Sequence, residues 1–75
     1  MEKNYFNALS TDIKTELTWN CGKMVTVVET KDLYLSLFRL DHFFIEIHIN
    51  KANSELIEIG LQEDRDVLMA YLKNR

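Results

Sequence analysis

The chain of 75 residues is 47% hydrophobic and 28% charged, and its formal net charge is -3. This length fits one domain, residues 1–75, near the lower size limit for folding alone, and an acidic balance without a basic cluster argues against nucleic-acid binding. No window approaches the roughly 18 apolar residues of a membrane span, the first residues lack the apolar run of a signal peptide, and the single cysteine excludes an internal disulfide. We therefore expect a soluble, cytoplasmic protein.

The first segment, residues 4–19, has the pattern of an amphipathic helix. Its apolar side chains recur every three or four residues and so share one helix face: Phe6, Leu9, Ile13 and Leu17. Ser10 lies inside the segment and is a favoured capping residue, so two short helices joined near Ser10 are the alternative. We expect the same buried face in both cases. Trp19, at the end of the segment, either closes over the following sheet or anchors a partner.

Four β-rich runs follow, at residues 24–29, 33–40, 43–49 and 55–61. The short connectors between them indicate hairpins and hence an antiparallel meander. The connector Asp41-His42 fits a two-residue turn of type I′, which needs a positive φ at both positions. The run at 33–40 also fits a helix capped by Asp32, and we favour the strand.

The last segment is predicted to be a short helix that begins after Asp64. The charges at its two ends interact favourably with the helix dipole, because Asp66 lies in the first turn and Lys73 and Arg75 lie at the end. Its apolar stripe consists of Val67, Leu68, Tyr71 and Leu72. The predicted fold class is therefore α+β, with an N-terminal helix, a four-stranded antiparallel β-meander and a C-terminal helix.

The expected turns assign the strand side chains to two faces of the sheet. A two-residue turn at 41–42 sets Phe38 opposite Ile45, and a five-residue loop at 50–54 sets Ile47 opposite Ile57. These pairs form an apolar first face, ready to be covered by a helix. The same registers place Glu58 opposite Glu46 on the second face.

The second face is also predicted to be rich in apolar residues, namely Leu33, Leu35, Leu37, Phe44 and Leu56. A two-residue loop at 31–32 adds three residues of the first strand to it, namely Met24, Thr26 and Val28. Two helices on the first face would leave this surface bare, which favours a homodimer that buries it across a two-fold axis. We expect its contact residues to be Leu35, Leu37, Phe44 and Leu56. The alternative is a monomer with one helix on each face.

Glu46, His48 and Glu58 are the strongest candidates for a chemical site. Two carboxylates and an imidazole on one side of neighbouring strands could bind a divalent metal or share a proton. We favour polar positions on a half-buried strand, because no further ligand is near them in the sequence. Cys21 has only Lys23 nearby to activate it, and no phosphate loop or catalytic triad can be assembled. The sequence therefore predicts neither an enzyme nor a bound cofactor.

Three functions fit this pattern. We favour a protein-binding module whose partner is a second copy of itself. The second hypothesis is a small-ligand or metal-binding protein that uses Glu46, His48 and Glu58. The third is an acidic inhibitor or antitoxin-like protein that covers a basic partner, which suits the size and the net charge.

Residues 37–50, LFRLDHFFIEIHIN, are followed by residues 53–59, NSELIEI. This pattern, together with YFNALS at 5–10 and Lys14, resembles a group of short uncharacterised bacterial proteins. Members of that group often carry a glycine in the turn where Asp41-His42 stands here. The resemblance covers most of the chain and implies a small stand-alone bacterial protein, with no known activity attached.

Overall fold

The computed structural model describes residues 1–73 and confirms the α+β class. Its helices and strands, in chain order, are α1 Lys3–Asn7, α2 Thr11–Cys21, β1 Lys23–Glu29, β2 Leu33–Leu40, β3 Phe43–Asn50, β4 Leu56–Leu61 and α3 Arg65–Lys73. Arg75, which the sequence places at the end of the last helix, lies outside the described residues. None of the helices within residues 1–73 is long and apolar enough to cross a membrane.

The N-terminal segment forms two helices, which was the alternative prediction. The Ser10 hydroxyl accepts a hydrogen bond from the backbone N–H of Ile13 at 3.3 Å and so caps α2. Phe6, Leu9 and Leu17 are at least partly buried as expected, but Ile13 is 46% exposed and Thr18 is buried in its place. Thr18 satisfies its hydroxyl by donating to the carbonyl oxygen of Lys14.

Gly22 joins α2 to β1 at a point of close backbone approach. A Cβ atom at this position would lie 2.7 Å from the carbonyl oxygen of Thr18, well inside van der Waals contact. The same carbonyl accepts the backbone N–H of Gly22 at 3.0 Å, which holds the two groups together. A glycine therefore allows the chain to leave the helix directly into the first strand.

The four strands form one antiparallel sheet in the order β1-β2-β3-β4, which confirms the predicted meander and the strand at 33–40. The register of β2 and β3 is the predicted one, with Leu40 opposite Phe43 and Phe38 opposite Ile45. In the turn between them only Asp41 has a positive φ, of 54°. The type I′ turn was therefore a wrong prediction, although the two-residue length was right.

Each of the two edge strands contains an extra residue, which makes the predicted register wrong at the start of β1 and contributes to the wrong register of β4. In β1 the register shifts at Val25, which places Met24 opposite Phe38 on the first face instead of the second. Thr26 and Val28 lie opposite Leu37 and Leu35, on the second face as predicted. This local β-bulge reverses the side to which the start of the strand points.

In β4 the observed register differs from the predicted one by two residues, for two separate reasons. Asn50 donates its backbone N–H to the carbonyl of Glu55, so the loop is one residue shorter than predicted. The register shift at Ile57 adds one more residue, so that Ile47 lies opposite Ile59. Leu56 consequently pairs with Ile49 on the first face, and it is not part of the second face as expected.

Helices cover both faces of the sheet. Helices α1 and α2 lie on the first face, where Phe6 packs on Phe43 with their ring centroids 5.6 Å apart. The apolar core there consists of Phe6, Phe38, Leu40, Phe43, Ile45 and Ile47. Helix α3 lies on the second face, where Tyr71 and Leu37 are buried. This three-layer arrangement corresponds to the alternative with one helix layer on each face.

Candidate functional site

Glu46 is the centre of a polar network between the sheet and α3. It projects from β3 on the second face, and only 20% of its side chain is exposed. One carboxylate oxygen, Oε2, accepts a hydrogen bond from the Tyr71 hydroxyl at 2.5 Å. The other, Oε1, accepts one from the Gln62 amide at 3.1 Å. Because both oxygens have donors, the carboxylate is stabilised in place and ties α3 to the sheet.

Tyr71 keeps the protonated hydroxyl that donates a hydrogen bond to this carboxylate. Burial of the phenol, followed by its hydrogen bond to Glu46, raises the pKa of Tyr71 well above its usual range. The hydroxyl therefore keeps its proton at any physiological pH. It acts as a fixed donor and not as an acid in this environment.

His48 lies between the two carboxylates that the sequence singled out. Its Nε2 is 3.3 Å from Glu46 Oε1, and its Nδ1 is 3.7 Å from Glu58 Oε2. The register sets Glu58 opposite His48, which corrects the predicted pairing of Glu58 with Glu46. The Nε2 atom is buried and makes no hydrogen bond of proper geometry.

The three residues are thus brought together, but their arrangement does not favour a metal centre. The two imidazole nitrogens face different carboxylates, whereas a shared ion would need its ligands to converge on one point. Both Glu46 oxygens already accept hydrogen bonds, and the Glu58 side chain is 71% exposed. Within residues 1–73, no group of three or more histidine, cysteine or acidic residues could hold a metal ion.

The predicted contact residues do not share one surface. Leu37 is fully buried on the second face, between Thr26 and Glu46. Leu35 and Phe44 are half-buried on that face, and Leu56 is exposed on the other one. A shallow recess of about 180 Å³ remains beside α3, lined by Val28, Leu35, Glu46, Val67, Ala70 and Tyr71.

A different group of apolar side chains is exposed together on the first face, along β1. We call this surface the β1 margin and define it as Trp19, Met24, Val27 and Tyr34. Each of the four residues is between 39% and 55% exposed. Val27 lies opposite Ser36 and Tyr34 opposite Glu29, so Val27 and Tyr34 are diagonal neighbours in the ladder.

The β1 margin is left open because α2 packs mainly on β2 and β4. Trp19 lies at its border, edge-on to Phe38 with their ring centroids 5.1 Å apart, and remains half-exposed. Sequence reasoning missed this surface because the bulge at Val25 turns Met24 toward it. Trp19 was the one member that the sequence marked as a possible anchor.

Comparison with protein-family models, with curated proteins and with solved structures finds no match. The resemblance to short bacterial proteins therefore stays a prediction.

Proposed function

We propose that this protein is a non-enzymatic protein-binding module whose partner is a second copy of the same chain. The observation that carries the proposal is the β1 margin, where four large apolar side chains are exposed on the same side of the sheet. Two of them are aromatic and one is methionine, the residue types enriched at the centres of protein interfaces. This surface replaces the one expected from the sequence, because Leu37 is buried and Leu56 lies elsewhere.

The β1 margin is small compared with a standard protein interface, as is typical of transient contacts. Its four residues expose on the order of 400 Å² of mostly apolar surface, about half of what each partner contributes to a standard interface. We therefore expect a reversible dimer with a dissociation constant in the micromolar range, within the concentrations that light scattering covers. A two-fold axis suits such a patch, because one surface then needs to complement only itself.

Support for a non-enzymatic role comes from Glu46. Its carboxylate, the most enclosed member of the Glu46-His48-Glu58 cluster, is occupied with holding α3 on the sheet. The exposed thiol of Cys21 suits a reducing compartment, so the proposal places the protein in the cytoplasm.

The proposal is tested by measuring molar mass with light scattering over a hundredfold range of concentration. We expect a rise from monomer toward dimer, which Met24→Lys shifts to at least tenfold higher concentration. Met69→Lys is the matched control, because Met69 on α3 is 50% exposed against 55% for Met24, yet lies outside the β1 margin. A constant monomer over the whole range, or equal effects of both substitutions, would overturn the proposal.

A further inference from the structure

Lys23 and Arg39 lie directly opposite each other at the end of the β1–β2 ladder. Like charges at directly opposed positions of an antiparallel pair repel and lower stability. Neither side chain forms an ion pair with a carboxylate in the described part of the chain. Two neighbouring cations thus remain uncompensated on a protein whose net charge is -3.

The guanidinium of Arg39 has a defined orientation. Its Nε donates a hydrogen bond to the carbonyl oxygen of Asp41 at 3.2 Å, which fixes the side chain against the β2–β3 turn. The Asp41 carboxylate pairs with the amino group of Met1. The two terminal nitrogens of Arg39 make no hydrogen bond to any other described residue.

Both cations line a surface depression of about 340 Å³, together with Cys21 and Asp41. Each molecule in liquid water occupies about 30 Å³, so the depression has room for a small oxyanion and its hydration shell. An arginine offers paired donors to phosphate oxygens and a lysine adds a point charge.

From the opposed cations, the fixed guanidinium and the depression beside them, we infer that Lys23 and Arg39 form a binding site for a small oxyanion of the phosphate class. Binding would remove the repulsion between the two side chains and so stabilise the start of β1 against β2. This site lies on the second face and does not depend on self-association through the β1 margin.

The test uses inorganic phosphate as the probe, titrated into the full chain at an ionic strength kept constant with sodium chloride. We expect a saturable rise in melting temperature and shifts of backbone amide resonances confined to the region of Lys23 and Arg39. Arg39→Gln and Lys23→Gln should each weaken the apparent affinity at least fivefold. Lys31→Gln is the control, since Lys31 is an exposed cation in the turn at the other end of β1.

Lys23→Glu provides a second, independent readout. It replaces a repulsive cross-strand pair by an attractive one, so the melting temperature without phosphate should rise while the response to phosphate disappears. The inference is overturned if phosphate has no effect beyond that of chloride at equal ionic strength. It is equally overturned if Lys31→Gln weakens the response as much as Arg39→Gln does.

Discussion

The two faces of the sheet are covered by helices in different ways. On the first face, α1 and α2 bury an apolar cluster in which Phe6, Ile45 and Ile47 are fully enclosed. On the second face, α3 is attached through a hydrogen bond from Tyr71 to Glu46, which also accepts one from Gln62 in the connector before α3, beside a recess that stays open. Apolar burial tolerates small displacements, whereas hydrogen bonds require defined geometry. The second face should therefore lose its helix more readily than the first.

The largest effect is expected from Leu37→Glu. The new carboxylate would be buried beside Glu46 with no partner, and a domain of this size has only about 3–5 kcal/mol of stability to lose. We expect unfolding, seen as loss of the cooperative thermal transition by circular dichroism. Leu56→Glu, at an exposed position, should remain folded, and a folded Leu37→Glu variant would contradict the burial of the second face.

Gly22→Ala tests the attachment of α2 to the first face. The added methyl group would meet the carbonyl of Thr18, so the helix end must shift, at an expected cost of about 1–3 kcal/mol in the free energy of unfolding. The measurement is chemical denaturation. Gly60→Ala is the matched control, because no atom of residues 1–73 beyond its chain neighbours lies within 4 Å of a Cβ atom there. Equal losses in the two variants would show that the close approach at Gly22 has no special importance.

Tyr71→Phe tests how much the hydrogen bond to Glu46 stabilises α3 on the second face. It removes one charge-assisted hydrogen bond to a partly exposed carboxylate while keeping the ring, and we expect a loss of about 1–2 kcal/mol. Hydrogen exchange should show that the amides of α3 open more often while those of α2 are unchanged. The control is Tyr5→Phe at an exposed position, which should be silent in both measurements.

The smallest effect is a pH dependence in alkali. The folded-state pKa of Tyr71 is raised, so above pH 10, the usual value for tyrosine, the unfolded chain loses this proton before the folded chain does. The stability that the Tyr71 hydroxyl contributes is thus fully present below pH 10 and is lost as the pH rises further. The difference in stability between wild type and Tyr71→Phe should narrow above pH 10, and a constant difference would contradict the raised pKa.

The sequence predicted those parts of the fold that alternation and short turns determine. In β3 every second residue is apolar, and the two-residue turn fixes its register with β2, so the pairing of Phe38 with Ile45 was correct. The extra residues Val25 and Ile57 could not be foreseen, because both are ordinary strand residues and neither is a glycine that would mark a bulge.

The register of the strands also decided how much of the candidate site could be predicted. Glu46 and His48 alternate along one strand, so their common side was evident from the sequence. Glu58 depended on the register of β4 and was assigned to the wrong partner. Glu46 accepts hydrogen bonds from the side chains of Tyr71 and Gln62. Both residues lie in segments whose position depends on tertiary packing, so no spacing in the sequence indicates these contacts.

The bulges at Val25 and Ile57 fall in the first and the last strand, whose outer edges pair with no other strand in the described part of the chain. An unbroken edge would offer a regular row of peptide groups to the next molecule, and sheets could then add to one another without limit. Two interrupted edges discourage such growth. A chain that meets its copy through one patch on one face, as proposed, would instead stop at two subunits, and we would expect it to stay free of fibres at high concentration.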